Sequence, residues 1–79
     1  MPKASYNAVD TVLLKSFGDE VRKYRLQRGW SQEDLAEHSG LHRTYIGSLE
    51  RGERNVSLIN IAVLARTLQI PVERLFDDH

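Results

Sequence analysis

Leu13, Phe17, Val21 and Tyr24 recur at spacings of four, four and three, the period that lines one side of a helix with apolar side chains. The stripe predicts a helix from Ala8 that stops at Arg28-Gly29, because glycine readily takes the left-handed conformation past a helix end. Gly18 weakens the middle of that helix by ~1 kcal/mol relative to alanine. Ser16 with Asp19 offers an alternative, a capping box that would start a new helix there. The stripe runs through the break point and favours one continuous helix.

Downstream, polar caps alternate with apolar faces. Ser31 is an N-cap, with Asp34 at the third helical position. Gly40 makes a turn, a third helix runs from about His42 to Arg51, and Gly52 stops it. Residues 52–56 read as a mostly polar loop. Ser57 caps a fourth helix that reaches Leu68 or Gln69. Its main apolar face, Leu58, Ile61, Leu64, Ala65 and Leu68, is expected to enter the core. Pro71 cannot continue that helix but suits the first turn of another, which predicts a short fifth helix over Val72–Phe76 with Leu75 closing the core. No strand pattern, repeat or low-complexity tract interrupts this order. The expectation is an all-α fold of five helices, with residues 1–7 a flexible N-terminal arm and residues 8–79 a single domain.

Ile59 and Val63 lie nearly opposite the main face of the fourth helix, on a second stripe that Ile70 extends. So small a domain has little remaining core for a second stripe to enter. Ile59, Val63, Ile70 and Phe76 are therefore expected to face a second copy of the chain. The alternative is a wider core covered by residues 1–15.

Composition narrows the function classes. The chain has 79 residues, 41% hydrophobic and 28% charged, a balance that suits a small globular fold. It has no cysteine, hence no disulfide framework, thiolate metal site or cysteine nucleophile. No apolar run approaches a membrane span and the N-terminus lacks a signal-peptide core, so a cytoplasmic location is expected. Eleven basic residues balance eleven acidic ones, which counts mildly against nucleic acid as a partner. The distribution softens that objection. Arg22, Lys23, Arg25 and Arg28 stand together without an acid, whereas Glu73, Asp77 and Asp78 gather at the far end.

The segment Ser31 to Gly52 carries the chemistry. Two short helices meet at Gly40, with small Ala36 at their approach and Leu35, Leu41, Ile46 and Leu49 between them. This is helix-turn-helix spacing, in which the second helix is presented to the DNA major groove. Tyr45, Ile46 and Leu49 fall on one side of that helix; Arg43, Thr44, Gly47, Ser48 and Arg51 fall on the other. Arg43, Thr44 and Ser48 are the candidate base contacts, since arginine can donate twice to guanine and threonine offers a hydroxyl and a methyl. Gly47 would let the backbone approach DNA closely. Ser31, Gln32, Tyr45, Arg51, Arg54 and Asn55 are candidate phosphate contacts, the first two aided by the positive end of a helix dipole. For Arg54 and Asn55 a merely solvated loop is the even alternative. Arg25 and Glu50 are read as a structural pair that sets the angle of the second helix. His38 and His42 are four apart but separated by the turn, with no third ligand nearby, so no metal is expected. No cofactor, small-molecule effector or catalytic arrangement is evident.

These residues resemble the phage-repressor-like helix-turn-helix family, of the Cro/repressor or xenobiotic-response-element type. The resemblance covers about Phe17 to Phe76. It rests on Arg25, Ser31-Gln32-Glu33-Asp34-Leu35-Ala36, Gly40-Leu41, Arg43-Thr44-Tyr45-Ile46, Leu49-Glu50-Arg51-Gly52, Arg54-Asn55 and Ser57-Leu58. It implies a five-helix domain that binds operator DNA, usually as a dimer. The small size and the Arg43-Thr44-Tyr45-Ile46 run resemble, more narrowly, the controller proteins of restriction-modification systems. Three departures stand out: His42 where a hydroxyl or Asx cap is favoured, Gly47 where serine is frequent, and residues 1–15 ahead of the usual start of the first helix. Two function classes follow. One is a transcriptional regulator that binds double-stranded DNA as a homodimer. The other is an antitoxin-like or bridging protein whose main partner is another protein.

Overall fold

The structure is a computed structural model and describes residues 7–76. The expected N-terminal arm, apart from Asn7, and the acidic end at Asp77 and Asp78 lie outside the described residues. Four α-helices follow in order, α1 (Ala8–Gln27), α2 (Gln32–Ser39), α3 (Arg43–Glu50) and α4 (Leu58–Leu68), and a 3-10 helix spans Val72–Phe76. There is no strand among the described residues. The expected fifth α-helix is this 3-10 turn. Five residues after Pro71 are too few for a ladder of α-helical hydrogen bonds, and Arg74 N–H donates to the Pro71 carbonyl three residues back at 3.0 Å.

Each helix starts on a side-chain cap. Asn7 and Asp10 form a capping box on α1. The Ser31 hydroxyl accepts from Asp34 N–H at 3.0 Å, while the Asp34 carboxylate accepts from Ser31 N–H at 2.8 Å. Those bonds hold the Asp34 carboxyl below its usual range. His42, which departs from the favoured cap residues, nevertheless caps α3, its Nδ1 accepting from Thr44 N–H at 3.1 Å. Ser57 caps α4 through Asn60 N–H. Val56 and Ile61 flank that cap on its apolar side, in the positions of a hydrophobic staple. Gly40 turns the chain between α2 and α3 at φ 77°, a conformation that glycine adopts without steric cost.

The core is Phe17, Val21, Leu35, Ile46, Leu49, Val56, Leu64, Ala65, Leu68 and Leu75. Tyr24, Leu41 and Ile61 pack half-buried against it, and two residues expected in it are exposed. Leu13 is 53% exposed, because the first turns of α1 run to the rim of the packed body. Leu58 is 78% exposed, because the first residue after the cap turns outward and Val56 fills the core instead. α1 is continuous through Gly18, as the stripe predicts. Gly18 lies directly on the backbone of α3: a Cβ there would stand 2.3 Å from the Leu49 carbonyl oxygen and 2.7 Å from that of Glu50. The residue that is a weakness by helix propensity is therefore what lets α1 and α3 cross.

This fixes the sign of a substitution. Gly18→Ala should gain ~1 kcal/mol of helix propensity and still destabilise the domain by ~1–3 kcal/mol or more, because backbone cannot yield to the new methyl. Urea unfolding of the two proteins decides between propensity and packing. A more stable alanine variant would mean that α1 and α3 do not cross this closely.

Candidate nucleic-acid interface

α3 begins at its exposed end with Arg43 and Thr44. The Arg43 guanidinium lies 3.6 Å from the Glu33 carboxylate of α2, and both side chains are well exposed. From Ile46 to Glu50 every residue of α3 is buried. This overturns the outward placement of Gly47 and Ser48. Ser48 is only 5% exposed. Its hydroxyl donates to the Tyr45 carbonyl at 2.9 Å and accepts from Arg54 Nε at 3.0 Å, so its proton and one lone pair are engaged within the protein and it does not face outward toward a base. A helical wheel treats α3 as isolated. In the fold, the loop after it turns back, Glu53 N–H donating to the Ser48 carbonyl at 3.0 Å. Gly47 is likewise covered: a Cβ there would meet Arg51 Nη1 at 3.3 Å and Gln32 Oε1 at 3.4 Å.

The other candidate residues surround that helix. Ser31 has its hydroxyl committed to the cap of α2. Gln32 donates from its side-chain amide to Glu50 Oε1 at 3.1 Å. Arg51 is exposed and bonds Glu53 at 3.0 Å, a pairing that raises the Arg51 pKa and lowers that of Glu53. The Arg54 guanidinium lies over the Tyr45 ring, 5.8 Å from its centre. Asn55 is exposed at the rim of a small apolar pocket. Sequence reasoning placed Arg22 only in a general basic cluster and did not single out Lys15. Both line a groove of about 470 Å³ with Gln32, Glu50, Arg51 and Glu53, which adds two α1 cations beside α3. The signal was there to be read, since Arg22 stands one turn before Arg25 on the same helix.

Arg25 and Glu50 join α1 to the end of α3. Nε and Nη2 of Arg25 donate to the two carboxylate oxygens of Glu50 at 2.8 and 2.9 Å, with both side chains buried. Nη1 donates to the Trp30 carbonyl at 2.8 Å. Gln32 adds its bond to Glu50, and the carboxylate in turn raises the pKa of Arg25. The two histidines are separately occupied. His38 stacks on Trp30 at 4.4 Å, and His42 caps α3.

The four residues assigned to a partner surface do not form one open stripe. Ile59 is 71% exposed and Phe76 44%, but Val63 and Ile70 are half-buried. Ile70 packs against the core, and the Phe76 ring lies 5.5 Å from Phe17. No helix among the described residues is long and apolar enough to cross a membrane.

Residues 21–75 match the family model described as Helix-turn-helix. Control protein C.SmaI of Serratia marcescens is 48% identical over 75 residues, covering 95% of this chain and 87% of the relative. The crystal structure of the restriction-modification controller protein C.AhdI from Aeromonas hydrophila superposes with a TM-score of 0.77 at 52% identity, covering 80% of this chain and 96% of that one. SinR, a master regulator for biofilm formation solved in complex with DNA, matches with a TM-score of 0.74 at 31% identity over 77% of this chain and 98% of its own.

The buried pair makes a non-additive stability prediction. Glu50→Ala should destabilise the domain by ~3–5 kcal/mol, because Arg25 is left charged and buried without its partner. Replacing both residues by leucine should cost clearly less than the sum of the two single changes. A double-mutant cycle in urea measures this; additive effects would mean that the two side chains do not act as a unit.

Proposed function

The chain belongs to the helix-turn-helix family, and from that premise we propose that it is a sequence-specific DNA-binding transcriptional regulator that acts as a homodimer on a roughly palindromic operator. The observation that carries the reading is the exposed start of α3. Arg43 and Thr44 are open there, with Gln32, Tyr45, Arg51 and Arg54 around the same helix. In this reading α3 enters the major groove, Arg43 and Thr44 read base edges, and Arg51, Arg54 and Asn55 hold the phosphate track with Tyr45. The first turn of α2 supplies the Gln32 backbone amide at the positive end of its dipole, whereas the N–H of Ser31 already donates to Asp34. Lys15 and Arg22 extend the basic surface along α1.

Zero net charge is no obstacle to this reading, because the acids beside the cations are exposed and weakly held. Glu33 and Glu53 hold Arg43 and Arg51 in exposed pairs worth little in water, and a phosphate or guanine edge can replace them. The kinship with C.SmaI and C.AhdI supports control of a restriction-modification operon as the biological role. Genes for a nuclease and a methyltransferase beside this one would be the corresponding genetic observation.

Two experiments test the reading. Duplexes selected from a random pool should yield a roughly palindromic site whose half-sites repeat after one helical turn, ~34 Å. On that site Arg43→Ala should cost ~1–3 kcal/mol and relax the preference at one position of each half. Uniform weakening on every sequence would reduce Arg43 to a phosphate contact. For the dimer, Ile59 is the cleanest probe because it is the most exposed of the four proposed interface residues. Ile59→Glu should sediment as a folded monomer with much weaker operator binding; a variant that stays dimeric would put the interface elsewhere.

A further inference from the structure

Arg54 differs from the other arginines around α3 in what holds it. Arg43 and Arg51 face carboxylates. Arg54 is held by neutral groups, its Nε on the Ser48 hydroxyl at 3.0 Å and its plane over the Tyr45 ring. Glu53 feels the charge of Arg54 but accepts its hydrogen bond from Arg51. The Ser48 hydroxyl proton goes to the Tyr45 carbonyl, which leaves a lone pair of that oxygen for Arg54. The same tyrosine is gripped at its other end. Asn60 of α4 donates from Nδ2 to the Tyr45 hydroxyl oxygen at 3.2 Å, so the phenol accepts inward and its own proton is left to donate outward. Ser48, Arg54, Tyr45 and Asn60 thus form one chain of contacts from α3 through the loop to α4.

We propose that Ser48 and Asn60 are positioning residues for a phosphate clamp made by Arg54 and Tyr45, a role that rests on the DNA-binding reading above. Ser48 fixes the guanidinium by Nε alone, which leaves both terminal nitrogens to fork onto phosphate oxygens. Asn60 fixes the direction of the phenol O–H. Neither residue touches DNA. Each removes rotational freedom that the clamp would otherwise lose on binding, and neither neutralises the charge that attracts the phosphate.

The test is a double-mutant cycle read by fluorescence anisotropy on a labelled duplex of mixed sequence, since phosphate contacts do not depend on sequence. Salt is varied between roughly 50 and 200 mM, and circular dichroism melting is followed in parallel. Ser48→Ala and Asn60→Ala should each weaken binding by about three- to ten-fold with the salt slope unchanged, because no charge is lost. Arg54→Ala should lower the slope by about one per protomer. The effect of Asn60→Ala should vanish in a Tyr45→Phe background, and that of Ser48→Ala in an Arg54→Ala background. An undiminished effect in either background overturns the proposal for that residue. So does a variant that melts earlier but binds as well as the unaltered protein when folded, which would make the residue purely structural. If the unaltered protein fails to bind the duplex at any salt, the DNA-binding reading itself falls, a result distinct from failed coupling.

Discussion

The bidentate pair between Arg25 and Glu50 is the contact on which the position of α3 depends. It sits where α1 and α3 meet, buried on both sides, and its remaining hydrogen-bonding capacity is taken up by the Trp30 carbonyl and the Gln32 amide. Burying two charges is unfavourable unless geometry and further hydrogen bonds compensate, and here both do. Pairing fixes a direction as well as a distance, because the planar guanidinium meets the carboxylate edge to edge. The interaction therefore sets the orientation of α3 relative to α1 and ties both to the start of α2. Gly18 works at the same crossing. It brings the α1 backbone against the last carbonyls of α3, which gives the pair its short span.

Around that fixed helix the cations fall into two kinds. Arg43 and Arg51 rest on exposed carboxylates that water already screens. Arg54 rests on a hydroxyl and an aromatic face. The first kind keeps its exposed face close to neutral, and on the DNA-binding reading proposed above its acids would give way to phosphate. The second keeps its full charge and a preset direction. On that reading, this division is how a chain with balanced charges would present a basic surface. The surface also reaches beyond the helix-turn-helix itself, since Lys15 and Arg22 of α1 flank the groove that Gln32 and Arg51 line.

The apolar surface tells a similar story of local pattern altered by neighbours. Ile59 and Val63 share a stripe on the wheel, yet only Ile59 stands fully open, while Ile70 turns toward the core beyond Gln69. Gln69 ends α4 in a left-handed conformation at φ 58°. Arg28 steadies that end by donating to the Leu68 carbonyl at 3.2 Å, which sends the following chain back across α1. Phe76 then lands beside Phe17 and keeps part of its ring in the open. Of the four residues proposed for a partner surface, Ile59 and the outer part of Phe76 are open, while Val63 and Ile70 are half-buried.

What the sequence by itself determined was local. Ser31 with Asp34, Gly40 and Ser57 mark helix ends because a cap or a turn is satisfied within four residues of itself, and those boundaries are where the caps place them. The helix-turn-helix was legible for the same reason, as was the continuity of α1, whose stripe is a property of one helix. Leucines at the rims, Leu13 and Leu58, misled because a wheel gives direction but not the extent of the neighbouring elements. Ser48 misled because the loop that covers it folds back from beyond the helix. His42 caps α3 with a ring nitrogen, a role its residue type does not advertise. The need for glycine at position 18, the two-pronged fit of Arg25 on Glu50, and the hold of Asn60 on Tyr45 join residues between 15 and 32 positions apart. The pairing of Arg25 with Glu50 is expected from the sequence, but its bidentate geometry and the other two contacts are encoded in no local pattern. They exist only once α1, α3 and α4 are packed, and it is the packing that decides which side chains face outward and which hold them there.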